Sequence, residues 1–316
     1  MAGSSSCESR QKSSKIFAYF FEEIWVKGMN RRRATWIGFA AILSWGLLAL
    51  LTIGAQPVPP LQMNAVCFAI GAVIGLIWTG AGTGFGVLRT VPWRVYAFGS
   101  IGLFGANLLY FAAMGLAPMA ETGLIGYLWP LFIVLLSGLL PGERLGVWHI
   151  GGALIGFAGV ALIVLRGGAS WPAGALPGFG LAFAFALSWA AYSVGSRRFG
   201  AQPTVAVTVY FLVGAVLSAA AHLVLETTVW PGHALGWLSL ILLGIGPTGL
   251  SFFAWDVGMK HGDIQLLGVA SYAAPLLSTF ALIMAGMTEA TPQLIAAAAM
   301  ITGGAALAAR ASLKAN

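Results

Sequence analysis

The chain has 316 residues, of which 59% are apolar and 8% charged, with a mean hydropathy of +0.89. Soluble domains carry about 25% charged residues, so this chain lacks the polar surface to face water and most of it must face lipid. Its net charge of +7 is scattered between apolar runs, which excludes a nucleic-acid groove. Two cysteines, Cys7 and Cys67, exclude a disulfide framework or a zinc site; Cys67 falls in an apolar run and reads as a buried thiol.

Residues 1–33 form a polar, basic extension. Within it Ile16, Phe17, Phe20, Phe21, Ile24 and Trp25 recur at three-to-four spacing opposite Glu22 and Glu23, the pattern of an amphipathic helix lying on a membrane surface. A dispensable leader, with Met29 as an alternative start, is the competing reading. The Glu pair and the lack of a small-residue cleavage site argue against a signal peptide.

Ten runs then have the ~20 residues that cross a bilayer: 34–54, 60–80, 93–115, 119–140, 146–166, 174–195, 204–226, 235–258, 264–286 and 292–310. With the N-terminus inside, every Lys and Arg except Arg166 falls on the cytoplasmic side. This is the bias of inner-membrane topology and predicts both termini in the cytoplasm.

The runs repeat. Leu43-Ser44-Trp45 returns as Leu187-Ser188-Trp189 at an offset of 144, and Tyr110-Phe111-Ala112 as Phe252-Phe253-Ala254 at 142. Tyr127, Pro130 and Leu131 return as Tyr272, Pro275 and Leu276 at 145, as do Gly159 and Leu162 as Gly304 and Leu307. The expected fold is therefore an all-α integral membrane protein of ten helices in two five-helix repeats, 34–166 and 167–316. Five being odd, the second repeat enters from the opposite face. Inverted repeats mark secondary transporters, with the substrate near mid-membrane.

Within this frame, Tyr127-Leu128-Trp129-Pro130 and Tyr272-Ala273-Ala274-Pro275 put proline faults at equal depth. A proline frees a carbonyl and crowds the preceding turn, a fault tolerated in hydrocarbon where neighbours or a wet cavity satisfy the freed group. Pro130, Pro275 and a third fault, Pro247, are candidate kinks for gating; ordinary membrane prolines are the plainer reading. Candidate substrate contacts are Ser44, Asn107, Tyr110, Tyr127, Trp129, Trp189 and Tyr272. Aromatic faces stack on apolar substrate groups while OH and NH tips orient polar ones. The same residues also serve as core filler, a helix–helix hydrogen bond for Asn107, or a backbone-bonded serine for Ser44 and Ser188. Trp78, Trp255 and Tyr110 lie near span ends, where an interfacial belt is expected.

No charge falls near mid-span. Glu121, Glu143, Glu226, Asp256 and Glu289 lie near helix ends, with Glu143 and Glu289 placed to cap the fifth and tenth spans. Proton coupling through a central carboxylate is therefore not expected. Gly80, Gly82, Gly84 and Gly86 precede no Gly-Lys-Ser/Thr and follow no strand, so a nucleotide loop is excluded. Neither cofactor nor metal is expected. Gly71 with Gly75, and Gly152 with Gly156, suit close helix packing. The fifth and tenth spans pack within the chain or form a weak dimer face, leaving a monomer or weak dimer.

The ten-span plan, the Leu-Ser-Trp pair and Pro141-Gly142-Glu143 before the Gly-rich fifth span resemble the drug/metabolite transporter superfamily of the EamA type, over residues 31–310. Arg33-Ala34-Thr35-Trp36-Ile37-Gly38 and Tyr127-Leu128-Trp129-Pro130 resemble its YddG branch. That resemblance implies an inner-membrane exporter of aromatic or other apolar amino acids, its two halves rocking about a central cavity. A broader drug or metabolite exporter is the alternative. A membrane enzyme is third, since Glu143, Arg144 and His149 are too sparse a cluster for catalysis.

Overall fold

The protein is described by a computed structural model covering residues 29–165, 168 and 172–315. The amphipathic run at 16–25 and Cys7 lie outside the described residues, as does Arg166. Among the described residues, nine helices are long and apolar enough to span a bilayer: α1 Arg31–Gly54, α2 Pro60–Ala81, α3 Trp93–Leu116, α5 Val147–Val164, α6 Leu176–Arg198, α7 Thr204–Leu225, α8 Ala234–His261, α9 Ile264–Met284 and α10 Pro292–Ser312. A shorter apolar helix, α4 Glu121–Ser137, supplies the tenth span. The helix starts are chemically ordinary. Asn30 accepts from Arg33 N (2.8 Å), Asp263 from Leu266 N (2.9 Å) and His233 from Gly236 N (3.0 Å), while α2 opens on Pro60.

The two repeats are interlocked. The most extensive packing pairs α5 with α10, α3 with α6, α2 with α7 and α1 with α8, and α4 meets both α6 and α9. Exchanging each helix for its repeat partner maps α1·α8 onto α6·α3 and α4·α6 onto α9·α1, and leaves α2·α7, α4·α9 and α5·α10 unchanged. The contact pattern thus carries the inverted two-fold. The main contacts run between the halves rather than within them.

Close crossings depend on missing side chains. A Cβ at Gly152 would stand 2.5 Å from Gly304 O, and one at Gly38 would stand 3.3 Å from the Gly258 Cα. Backbones at such contacts gain dispersion and exclude lipid. The small residues of α5 and α10 therefore meet each other inside one chain.

Four spans are broken. α4 runs as Met119–Gly126 and Trp129–Ser137, and α9 as Ile264–Ala270 and Ala273–Met284. The two gaps sit at equivalent repeat positions, each followed by its proline. In α8, Gly246–Leu250 forms a π-helical turn around Pro247, the wide turn that commonly marks function. The fourth break, at Gly46 and Leu47 of α1, was expected as continuous helix.

Candidate functional site

The breaks converge on tryptophan. Trp45 of α1, Trp129 of α4, Trp189 of α6 and Trp255 of α8 pack ring against ring. Centroids lie 4.9 Å apart for Trp45–Trp255, 5.9 Å for Trp129–Trp255, 6.0 Å for Trp45–Trp129 and 6.3 Å for Trp129–Trp189. Most contacts are edge-to-face, the geometry that ring quadrupoles favour. Phe252 closes the group, 5.5 Å from Trp189 and 6.4 Å from Trp45. Trp45 and Trp189 are repeat partners, so the cluster lies on the pseudo-two-fold. All four tryptophans are buried.

Their polar tips divide into two pairs. Trp45 Nε1 donates to Pro247 O (3.0 Å) and Trp255 Nε1 to Ser193 Oγ (3.1 Å). The indole N–H groups of Trp129 and Trp189 have no hydrogen-bond partner among the described residues. Neither indole nitrogen is among the sealed polar atoms left unsatisfied, a set that does hold Tyr272 OH, Gln265 Nε2, Ser100 Oγ and Thr208 Oγ1; the two tips therefore border open space rather than apolar packing. Trp255, expected in an interfacial belt, is instead 1% exposed at the heart of the cluster. Its distance from the span end misled, because α8 is longer than anticipated.

The broken backbone is mostly satisfied from within. Ser278 Oγ donates to Trp45 O (3.2 Å), Thr248 Oγ1 to Leu243 O (2.7 Å) and Ser251 Oγ to Gly246 O (2.6 Å). Ser44 stands by this region, its Oγ 3.4 Å from where a Gly246 Cβ would be. Asn107 Nδ2 donates to Leu103 O of its own helix (2.8 Å) and reaches no other helix with that group. Tyr110 packs on Phe185 (5.0 Å) between α3 and α6 rather than in a belt. Tyr127 is half-buried at the α4 break. Tyr272 is fully buried beside Phe157 (6.3 Å), and a Cβ on Gly156 would come 2.6 Å from its ring. The structure therefore brings together Trp129, Trp189 and Pro247, with Ser44 adjacent. It separates Tyr272, which belongs to the packing of α4, α5, α9 and α10.

Below the cluster, at the end carrying the basic loops, ionic groups lock the helices. Glu143, in the loop before α5, takes Arg31 Nη2 (3.2 Å) on one oxygen and Arg197 Nη2 on the other. Arg31 also pairs with Asp263 (3.4 Å), and Arg197 Nη1 donates to Met259 O (3.0 Å) and Gly262 O (2.8 Å). Glu143 was expected to cap α5; its carboxylate instead ties α1 to α6, because two arginines offer more than a helix end. Nearby, Lys260 and Asp256 form a buried pair (2.7 Å), with Thr204 Oγ1 donating to Asp256 (2.8 Å). At the opposite end Glu226 accepts from Leu61 N (2.9 Å) and Gln62 N (3.1 Å), fixing α2 to α7. Cys67 is buried, its Sγ 3.9 Å from Leu240 O. Among the described residues no His, Cys, Asp and Glu group could hold a metal ion.

Two inverted five-helix repeats whose broken helices meet at mid-depth define a membrane transporter. More narrowly, the chain belongs to the EamA-like transporter family, whose model matches twice, at residues 32–165 and 176–310. The chain is 48% identical over 283 residues to the aromatic amino acid exporter YddG of Ancylobacter novellus, covering 89% of this chain and 98% of that one. It is 26% identical to the exporter of the same name from Salmonella typhimurium and 25% to that from Escherichia coli, each over 79% of this chain and 88% of the relative. A crystal structure 48% identical in sequence superposes with a TM-score of 0.85, covering 89% of this chain and 98% of that one.

Proposed function

We propose that this transporter exports aromatic amino acids across the bacterial inner membrane, with both termini in the cytoplasm. The observation that carries the reading is the cluster of four buried tryptophans at the helix breaks, in which the indole N–H groups of Trp45 and Trp255 are bonded within the protein and those of Trp129 and Trp189 are not. Its apolar rings suit an aromatic side chain, and neutral donors suit a carboxylate without a buried counter-charge. The names borne by the similar exporters support the same substrate class.

Packing density favours a state closed on the cytoplasmic side. Between Ser251 and Pro275 only Ala254, His261, Leu266 and Ala273 escape full burial, whereas no residue from 276 to 286 is buried. Likewise none from Leu47 to Gly54 is buried. The outer halves of α1 and α9, past their breaks, are thus loosely held, and Ser278 joins them. Their repeat counterparts hold more buried positions: Tyr192, Ser193, Val194 and Ser196 in the inner half of α6, and Ile133, Val134, Ser137 and Leu140 in and just past that of α4. Alternating access then consists of exchanging these two conditions, with the breaks as hinges and the Glu143 network releasing.

Flux into proteoliposomes of labelled phenylalanine, tryptophan and tyrosine, beside leucine and a cationic dye, tests the reading. The aromatic amino acids should move fastest. Movement of the dye with none of the amino acids would replace this reading by the broader drug exporter. Trp129→Phe keeps an aromatic face, though a smaller one, and removes the donor; a hydrogen bond worth about 1 kcal/mol corresponds to roughly a fivefold loss of apparent affinity. An unchanged profile would leave the tryptophans as core filler.

A further inference from the structure

A groove of about 350 Å³ runs along the junction of α3 and α7, outside the ring-to-ring contacts of the tryptophan cluster; its walls include Tyr96, Ile101, Gly105, Val213 and Leu217. We propose that it holds an acyl chain of an anionic glycerophospholipid whose headgroup is bound by Arg89 and Arg94.

The geometry joins groove and cations. From Tyr96 to Gly105 the α3 axis rises about 13 Å at ~1.5 Å per residue, close to the ~15 Å half-thickness of the hydrocarbon. Arg94, Ala97, Ile101 and Gly105 follow one another at spacings of three, four and four, which is one stripe of a helix. Arg94 therefore stands at the foot of the groove. The short helix Gly86–Thr90 that carries Arg89 is held to the same foot, because Tyr96 OH donates to Leu88 O (2.6 Å).

Charge selects the occupant. Both arginines are exposed, and neither has a carboxylate partner among the described residues. Three of the acids at this end, Glu143, Asp256 and Asp263, are engaged in ion pairs elsewhere. Trp93, 73% exposed beside Arg94, is placed as an interfacial anchor. An apolar slot ending at two free guanidinium groups suits a phosphodiester joined to a fatty chain. A zwitterionic lipid offers the same chain without the net charge.

The test is native mass spectrometry of the full chain in detergent, titrated with palmitoyl-oleoyl phosphatidylglycerol or with the matching phosphatidylcholine. One phosphatidylglycerol should saturate the site, preferred about thirtyfold, since each surface arginine contributes roughly a fivefold factor. Arg89→Gln with Arg94→Gln should bring the preference close to unity. Gly105→Leu should weaken both lipids by filling the groove, where the first added carbon meets nothing within 4 Å. Binding that neither saturates nor responds to these variants would overturn the proposal in favour of annular lipid. Equal competition by soluble glycerol phosphate would overturn the part played by the groove. Melting temperature measured alongside separates lost binding from lost fold.

Discussion

Two adjacent glycines in α5 should respond oppositely to the same added methyl group. At Gly151 nothing lies within 4 Å of a built Cβ; at Gly152 it would meet Gly304 O at 2.5 Å and Ala308 N at 3.4 Å. Gly151→Ala therefore gains helix propensity alone, about 0.8–1 kcal/mol. Gly152→Ala gains the same propensity but must push α10 away by roughly 0.9 Å to restore ordinary contact, and the obstacle is backbone, which cannot rotate aside. Overpacking of this kind costs about 1–3 kcal/mol, and the rigid partner puts it at the upper end. The net expectation is a stabilised Gly151→Ala and a Gly152→Ala weaker by about 2 kcal/mol, a separation near 3 kcal/mol between neighbours. Thermal unfolding of both in one detergent, followed by tryptophan fluorescence and by size exclusion, measures it. Equal shifts of the same sign would refute the direct crossing of α5 on α10.

Further outcomes follow from the polar contacts. Trp45→Phe leaves Pro247 O buried without its donor and should cost about 1–3 kcal/mol while loosening the π turn, read as faster hydrogen exchange at Gly246–Leu250. Glu143→Gln removes the carboxylate shared by two arginines. Arg31 is 37% exposed and contributes little, so the loss rests on Arg197 and amounts to ~3 kcal/mol. It should raise the labelling of a cysteine introduced at the cytoplasmic mouth, in a chain with Cys7 and Cys67 replaced by serine; unchanged labelling would mean the network does not hold that side shut. Lys260→Met strands Asp256 and should cost about 3–5 kcal/mol, whereas Lys260→Met with Asp256→Leu should recover most of it. A double variant as unstable as the single one would show that the pair does more than neutralise itself.

The spans, the repeat and the depth of the faults were legible because they are written locally: apolar runs of fixed length, basic loops, and Tyr127 and Pro130 echoed by Tyr272 and Pro275. Trp129 and Trp189 were legible as contacts from their central placement, while Trp45 entered only as the repeat partner of Trp189 and was not among the candidate contacts. Trp255 was not legible, since its membership depends on α8 running on past a π turn to His261. The α1 break escaped for a similar reason. Gly46 and Leu47 are unremarkable in a membrane helix, and the break is held by Ser278 from a helix more than two hundred residues away. Glu143 was misplaced because a carboxylate before a helix caps it by default, and only the crossing of α1 and α6 brings two arginines to it. Tyr272 followed the repeat faithfully, yet its ring is sealed against Gly156, where the first repeat's Tyr127 is half-buried. Pattern symmetry survives in the backbone and lapses in the side chains.

The crossed pairing of α1 with α8 and α3 with α6 has a consequence for biogenesis. When the ribosome has delivered the first five spans, the inner faces of α1, α2, α3 and α5 have not met their main partners, and lipid or an insertase must cover them until the last spans arrive. The protein's tertiary core closes only after α10, the mate of α5, has been threaded. A single half of this chain would gain a closed core only if two copies met in opposite orientations.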